Sequence, residues 1–407
     1  MALCSPGQGA SGDLLWEQRA SGSVSCPEPV ALGNRVFTYT TNGTEKGRPY
    51  PVLRAYDLNT GERDWEVRDR LGYHSFKYRG NGVAAARGRV FTVAARWTSR
   101  DAVSVTARDA ASGALIWRRD LVDSRLQYRV YVVDAGDEGV FLLGMREPNS
   151  DPAVDPVWTE MMLLALEPRS GATLWEDYFN LGGGPDQGYE IAVGRGRVAV
   201  TVTDWRRGLP TGLTMPNMVV RTYEAATGAL LWQDSEPRTW PDRLVIDRNR
   251  VFTLSDTTGK RMLIAHDLDT GERLWMRRTR RIHGDFLGAT RRMVVVYGYP
   301  ALGDFDDTRI QVYKGETGEL IRQWKDGSSA EQMIADRGRL FTVGVPSLNS
   351  NGLVVNAYRL RSGRSRWSWR RDEPETEEQG CSVVVHRGVL VTTSTEFPGE
   401  IVTAFEP

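Results

Sequence analysis

The 407-residue chain balances 52 basic against 52 acidic side chains, so its formal net charge is zero. A nucleic-acid partner would ordinarily leave a basic excess, and none is expected. No apolar run approaches the ~18 residues of a membrane helix, so no transmembrane segment is expected in these residues. The basic residues are almost all arginine, the only lysines being Lys46, Lys77, Lys260, Lys314 and Lys325. We read this as the coding bias of a GC-rich bacterial genome rather than as phosphate chemistry.

Residues 1–9 have neither a basic n-region nor an apolar h-region. They read as a disordered leader or the remnant of a removed signal or anchor, with residues 10–407 forming one domain. From there the chain repeats one grammar. A half-apolar strand A ends in a tight turn, and strand B follows. The B strands are Val36–Tyr39, Val90–Val93, Val140–Leu143, Val198–Thr201, Val251–Leu254, Met293–Val296, Leu340–Val343 and Val389–Thr392. After a loop comes strand C, then a turn with glycine, then strand D carrying a tryptophan. Short β-rich runs between glycine turns predict strands throughout.

The join between C and D is the most regular part. It reads Ala55-Tyr56-Asp57…Thr60-Gly61…Trp65, then Ala107…Asp109…Ser112-Gly113…Trp117 and Ala165…Glu167…Ser170-Gly171…Trp175. Thr222…Glu224…Thr227-Gly228…Trp232 and Ala265…Asp267…Thr270-Gly271…Trp275 follow, with Leu274 and Trp275 expected to begin burial on strand D. Two looser copies come last. Val312…Lys314…Thr317-Gly318 has Arg322 in the tryptophan place and Trp324 two residues late, and Ala357…Arg359…Ser362-Gly363…Trp367 lacks the acid. The glycines fall 43 residues apart at the shortest step (Gly228 to Gly271) and 58 at the longest (Gly113 to Gly171). A fixed motif at that period marks an array of supersecondary units, and four antiparallel strands per unit describe a propeller blade.

There are eight B strands but seven complete motifs. The eighth is split: the chain ends Ala404-Phe405-Glu406 and begins Ser11-Gly12…Trp16. We therefore expect an all-β, eight-bladed propeller of four-stranded antiparallel blades. Its last blade takes strand D from the N-terminus and so closes the ring and its exposed edges.

Ala-x-Asp-x-x-Thr-Gly-x-x-x-Trp is the tryptophan-docking motif of the PQQ-like (pyrroloquinoline quinone-like) propeller repeats, and residues 11–407 resemble that family. The resemblance implies that Trp16, Trp65, Trp117, Trp175, Trp232, Trp275 and Trp367 pack between blades, against the motif glycine of the next. The family includes quinoprotein dehydrogenases, which use pyrroloquinoline quinone and Ca²⁺ and typically carry an adjacent Cys-Cys pair. This chain has Cys4, Cys26 and Cys381 only, and it looks more like the non-catalytic branch. That branch includes the propeller lipoprotein of the outer-membrane assembly machinery and sensor domains of bacterial membrane kinases.

In this topology the A–B and C–D turns share one face and are short. The B–C loops (41–50, 145–158, 204–217, 299–307) and D–A loops (68–80, 177–188, 277–285, 370–380) share the other, where binding is expected. The candidate partner-binding residues there are Trp97, Trp158, Trp205, Arg206, Arg207, Arg277, Arg278, Arg280, Arg281, Tyr297, Tyr299 and Phe305, with an acidic run from Asp372 to Glu378 on another D–A loop. Aligning strand A starts gives a channel-mouth ring of Glu28, Gly82, Val132, Glu190, Arg243, Asp285, Gln332 and Cys381. Neither this ring nor the four scattered histidines makes a metal cage. Asp304–Asp307 reads as a solvated acidic turn and His283 with Asp285 as a weak acid–base pair. Cys26 and Cys381 precede strand A in blades that become neighbours on closure, so a disulfide there is one option and two free thiols the other.

These features favour a non-enzymatic binding, scaffold or sensor propeller that presents the D–A/B–C loop face to a protein or peptide. Its expected setting is extracytoplasmic, with tethering through the N-terminus as one option. No catalytic, metal or cofactor-binding residue is assigned. The alternatives are a quinoprotein dehydrogenase with its quinone and Ca²⁺, and a small-ligand sensor at the channel mouth.

Overall fold

The computed structural model describes residues 12–21, 29–45, 48–68, 72–73, 82–96, 103–122, 126–148, 160–180, 189–204, 216–257, 260–279, 283–290, 292–299, 308–326, 328–346, 352–371, 378–396 and 399–406. Residues 1–9, Cys26 and the Cys381 side chain lie outside them, as do both disulfide options.

Eight antiparallel sheets, each in the order A-B-C-D, make the blades. In blade 1 these strands are Val30–Leu32, Arg35–Glu45, Arg48–Asp57 and Arg63–Arg68. Blades 2 to 7 cover residues 83–121, 126–180, 190–237, 240–278, 283–325 and 329–371, and blade 8 covers 378–405 with 14–21. Blade 2 gains a two-residue strand, Gly72–Tyr73, beside its strand B. No helix occurs among the described residues.

Closure is as expected. Leu14–Ser21 pairs with Gly399–Phe405, and Trp16 sits opposite Ala404 just as Trp65 sits opposite Ala55 and Trp175 opposite Ala165. The Glu406 N–H donates to the Asp13 carbonyl at 3.0 Å, which completes the split turn. Strand A of each blade packs against strand A of the next, blade 8 against blade 1 included. The A strands therefore form the inner ring around the axis.

The inner strands are covered by sheets on both faces, so they read as nearly continuous apolar runs. Arg197–Asp204 is buried beyond its first residue. Strand D is outermost and mostly exposed; in Leu230–Pro237 only its tryptophan is buried. Leu274 accordingly stays 37% exposed while Trp275 falls to 6%, which corrects the expectation that both begin burial. Pleating explains the difference: neighbours on a strand face opposite ways.

Each C–D turn seats the tryptophan of the preceding blade. At Gly61 φ is +71°, and a Cβ there would stand 2.4 Å from the Trp16 ring; at Gly271 φ is +74°, with the Trp232 ring 2.6 Å away. Only glycine meets both demands, the left-handed backbone and the close approach. Six indole N–H groups then donate to the turn: Trp16 to Leu58, Trp65 to Ala110, Trp117 to Pro168, Trp175 to Ala225, Trp232 to Leu268 and Trp275 to Gly315, at 2.8–3.3 Å. Motif acids tie the turn from inside. Asp109 accepts from the Ser112 hydroxyl and backbone N–H at 2.8 Å, and those bonds hold its carboxyl below the usual range. Where Lys314 and Arg359 replace the acid, the backbone bonds to Gly318 and Gly363 remain at 2.8 Å.

Trp324 supplies the seat that the motif leaves vacant at Arg322. It lies two residues further along the same strand, opposite Ile310, hence on the same face of the pleat. Its ring packs on Gly363, 2.9 Å from where a Cβ would stand. The indole N–H finds no acceptor there, unlike those of the six seats above.

Candidate functional site

The mouth of the channel on the loop side is built by the first residues of strand A. A β-bulge interrupts this strand at one level in five blades: Val130/Val132, Pro241/Arg243, Gly284/Phe286, Ala330/Gln332 and Gln379/Ser382. Bulges re-aim a side chain and increase local twist. Val132, Glu190, Arg243 and Gln332 occupy the ring level inferred from sequence. Asp285 and Cys381 do not: they fall within the bulge, and Phe286 and Ser382 take the level instead. The reason is that strand B of blades 6 and 8 is in register one residue later than its apolar start suggests: Val294 pairs with Tyr313, and Leu390 with Phe405, as Val251 pairs with His266. Blades 3, 5 and 7 carry the same bulge with the expected residue at the level, so the difference lies in the register of strand B. Glu28 lies outside the described residues, as do the side chains of His283 and Asp285.

Three neighbouring blades meet at this level. Arg243 of blade 5 donates to Glu190 of blade 4 at 2.9 Å and lies 5.2 Å over the Phe286 ring of blade 6. Beside it, the bulged Asp242 pairs with Arg261, which also approaches Asp256 at 3.5 Å. Tyr131, the bulged residue of blade 3, stacks on Tyr189 with centroids 4.6 Å apart. Each of these charges has an opposite one in reach, with Asp242 and Asp256 sharing Arg261.

The loop-face residues divide. Trp97, Trp158, Trp205, Arg206, Arg207, Arg280, Arg281 and Phe305 lie outside the described residues, along with the Tyr299 side chain and the 304–307 turn. Tyr297 is not an exposed aromatic: it is 1% exposed. Its hydroxyl accepts from the Ala330 N–H at 2.7 Å and donates to the Ser328 carbonyl at 3.4 Å, so it fills the joint between blades 6 and 7. Arg277 belongs to strand D (Arg273–Arg278) and donates to the Thr317 carbonyl at 3.0 Å, as Arg119 does to Gly171 at 2.9 Å. Both steady a tryptophan seat, because the residue two past the tryptophan shares its face. Arg278 ends the strand exposed. The 41–50 loop is mostly ladder, Arg35–Glu45 pairing with Arg48–Asp57.

Sequence reasoning missed the polar clasps between blades. Asp177, Asp234 and Asp326 each stand two residues after a docking tryptophan. They meet Tyr223 at 2.7 Å, His266 at 2.8 Å and Tyr358 at 2.5 Å on the next blade. The signal was a Trp-x-Asp repeat on strand D, visible only once the partner blade is known. At the closing joint, Arg54 and Glu400, each 1% exposed, pair at 3.0 Å, with Thr40 accepting from Arg54 at 2.8 Å.

These features can be set beside known proteins. The family profile described as outer membrane protein assembly factor BamB, one of PQQ-like repeats, matches residues 8–140 and 216–401. The chain belongs to the PQQ-like propeller family. No curated protein matches it in sequence. Among solved structures it is similar to BamB from Moraxella catarrhalis (TM-score 0.60, 13% identity, 97% of this chain and 100% of that one). It is also similar to quinohemoprotein alcohol dehydrogenase from Comamonas testosteroni (0.63, 11%, 97% and 76%) and to the computationally designed Ika8 protein (0.63, 11%, 95% and 98%). At these identities the likeness is one of fold, and this PQQ-like propeller has both scaffold and dehydrogenase neighbours.

The dehydrogenase neighbours raise the question of a quinone with Ca²⁺. Ca²⁺ takes six to eight oxygen ligands. The described carboxylates of the mouth, Glu190 and Asp242, are held by Arg243 and Arg261. No cluster of three or more potential ligands gathers among the described residues. This donor set does not fit the ion.

Proposed function

We propose that this PQQ-like propeller is a non-enzymatic binding or scaffold module, working outside the cytoplasm and presenting its D–A/B–C loop face to a protein or peptide. The observation that carries this reading is the pairing of Glu190 with Arg243 across blades 4 and 5 and of Asp242 with Arg261 within blade 5. Charges that neutralise each other, within blade 5 and across its joint with blade 4, brace the mouth of the channel. A general base or nucleophile needs to be poised toward substrate instead. The match to a family described as an assembly factor, and a likeness that spans the whole of the M. catarrhalis BamB chain, support the same direction.

The test has two arms. Adding pyrroloquinoline quinone, Ca²⁺ and a panel of alcohols and sugars with a dye acceptor should give no turnover above the protein-free rate; turnover would overturn the reading. Immobilised protein should retain a partner from an envelope extract, and Trp205→Ala with Arg278→Glu should lose it. Retention that survives both substitutions would move the partner off the loop face.

A further inference from the structure

The opposite end of the channel is edged by the A–B turns. Five consecutive blades, 4 to 8, place an exposed arginine there: Arg195, Arg248, Arg292, Arg337 and Arg387. Because the A strands form the inner ring, these turns make an arc about the axis. Four of the five hold a left-handed backbone, with φ of 56° at Arg195 and Arg248, 45° at Arg337 and 48° at Arg387. That region disfavours any side chain with a Cβ and is entered most readily by glycine and asparagine. Blade 1 uses Gly33 at its turn, φ 65°. Backbone geometry therefore does not account for arginine recurring at these positions.

The guanidinium groups are also barely engaged. Arg292 and Arg337 approach Glu316 and Asp336 only at 3.8 and 3.9 Å. Arg195, Arg248 and Arg387 make no hydrogen bond or ion pair among the described residues, although Asp247 attracts Arg248 and Arg195 at longer range. Blade 2 repeats the arginine at Arg87, φ 49°, but there it is paired, and blades 1 and 3 carry none. On blade 3 the exposed Asp137 lies 3.6 Å from Arg87 of blade 2.

We propose that this arc is a docking surface for an acidic segment of a partner protein, laid across blades 4 to 8 with its carboxylates on the arginines. Guanidinium and carboxylate match in shape as well as charge. An extended chain fits better than a flat anionic bilayer, which would meet Asp137 and the acidic C–D turns of Asp57, Asp109, Glu167 and Asp267 on the same face. The surface is separate from the loop face and does not depend on what binds there.

The test is fluorescence anisotropy with a labelled oligoglutamate peptide and its oligoglutamine counterpart. The wild-type protein should bind oligoglutamate alone, more weakly as salt rises. The triple variant Arg195→Asn/Arg248→Asn/Arg387→Asn should bind roughly tenfold more weakly or worse. Its melting temperature should hold or rise, since asparagine suits the turn. Trp205→Ala should leave binding unchanged, which separates this surface from the loop face. The proposal fails if wild type does not bind oligoglutamate at low salt, if the triple variant binds equally well, or if phosphatidylglycerol vesicles are preferred to the peptide. A destabilised triple variant with full binding would show that the arginines serve the fold, and would also overturn it.

Discussion

His266 and Asp234 sit on neighbouring blades, and the His266 Nε2 lies 2.8 Å from Asp234 Oδ2 across the joint. Arg273 donates to the same oxygen at 2.7 Å. The imidazole is 1% exposed and packs 5.5 Å from the Trp232 ring, the place that Tyr56, Tyr223 and Tyr358 take beside Trp16, Trp175 and Trp324. Blade 5 has thus put an imidazole where four other blades have a phenol, Tyr313 of blade 6 included.

That substitution makes one joint sensitive to acid. Burial pushes His266 below its ordinary 6.5, against the pull of Asp234. A histidine held neutral in the folded state binds fewer protons than in the unfolded one, so its contribution is whole above about 6.5 and is lost as pH falls below it. For Asp234 burial works upward, but hydrogen bonds from Arg273, His266 and Ser235 outweigh it and leave the carboxyl low. Its contribution disappears only in a second, more acidic window. Replacing His266 with Tyr should flatten the fall in melting temperature between pH 7.5 and 5.5, with Asp234 keeping a hydroxyl partner. An unchanged slope would place the acid response elsewhere.

The glycine seats should be far less tolerant than the A–B glycines. Gly61→Ala faces both a left-handed backbone and the Trp16 ring at 2.4 Å, and should cost about 3 kcal/mol in urea unfolding. Gly88 has a similar φ of +72° but nothing within 4 Å. Gly88→Asn should change stability by less than about 0.5 kcal/mol.

At the closing joint, burial pushes the Glu400 carboxyl up, against the attraction of Arg54, and its Oε1 has no partner. Arg54→Ala strands that acid and should cost about 3–5 kcal/mol. Arg54→Met/Glu400→Met removes both charges and should recover much of the loss. A double variant as damaged as the single one would mean that packing, not charge, governs the joint.

Removing residues 1–21 takes strand D from blade 8 and leaves Gly399–Phe405 as an open edge. The truncated protein should aggregate or melt well below the parent, as seen by size-exclusion chromatography and thermal unfolding. An unchanged melting temperature would mean that the ring does not need this strand.

Much of the fold was legible because its determinants are local. Gly61 and Gly271 mark turns that only glycine can make, Trp65 and Trp275 follow at fixed spacing, and the division of one motif between Glu406 and Gly12 implied closure. Less of the site could be read. Met293 is as apolar as a first strand-B residue, but in register it matches Arg250 of blade 5, which is why Phe286, not Asp285, stands at the channel mouth. Tyr297 resembles a loop aromatic until blade 7 covers it.

The sequence by itself determined the number of blades, their strand order and the joint that closes them, since each is written in short-range patterns of turn and burial. Only the tertiary structure decided which side chains meet across joints: His266 with Asp234, Arg54 with Glu400, Trp324 with Gly363. Those residues are 32, 346 and 39 positions apart. Their partnership is set by how one blade turns against the next, a geometry that no local stretch of chain encodes.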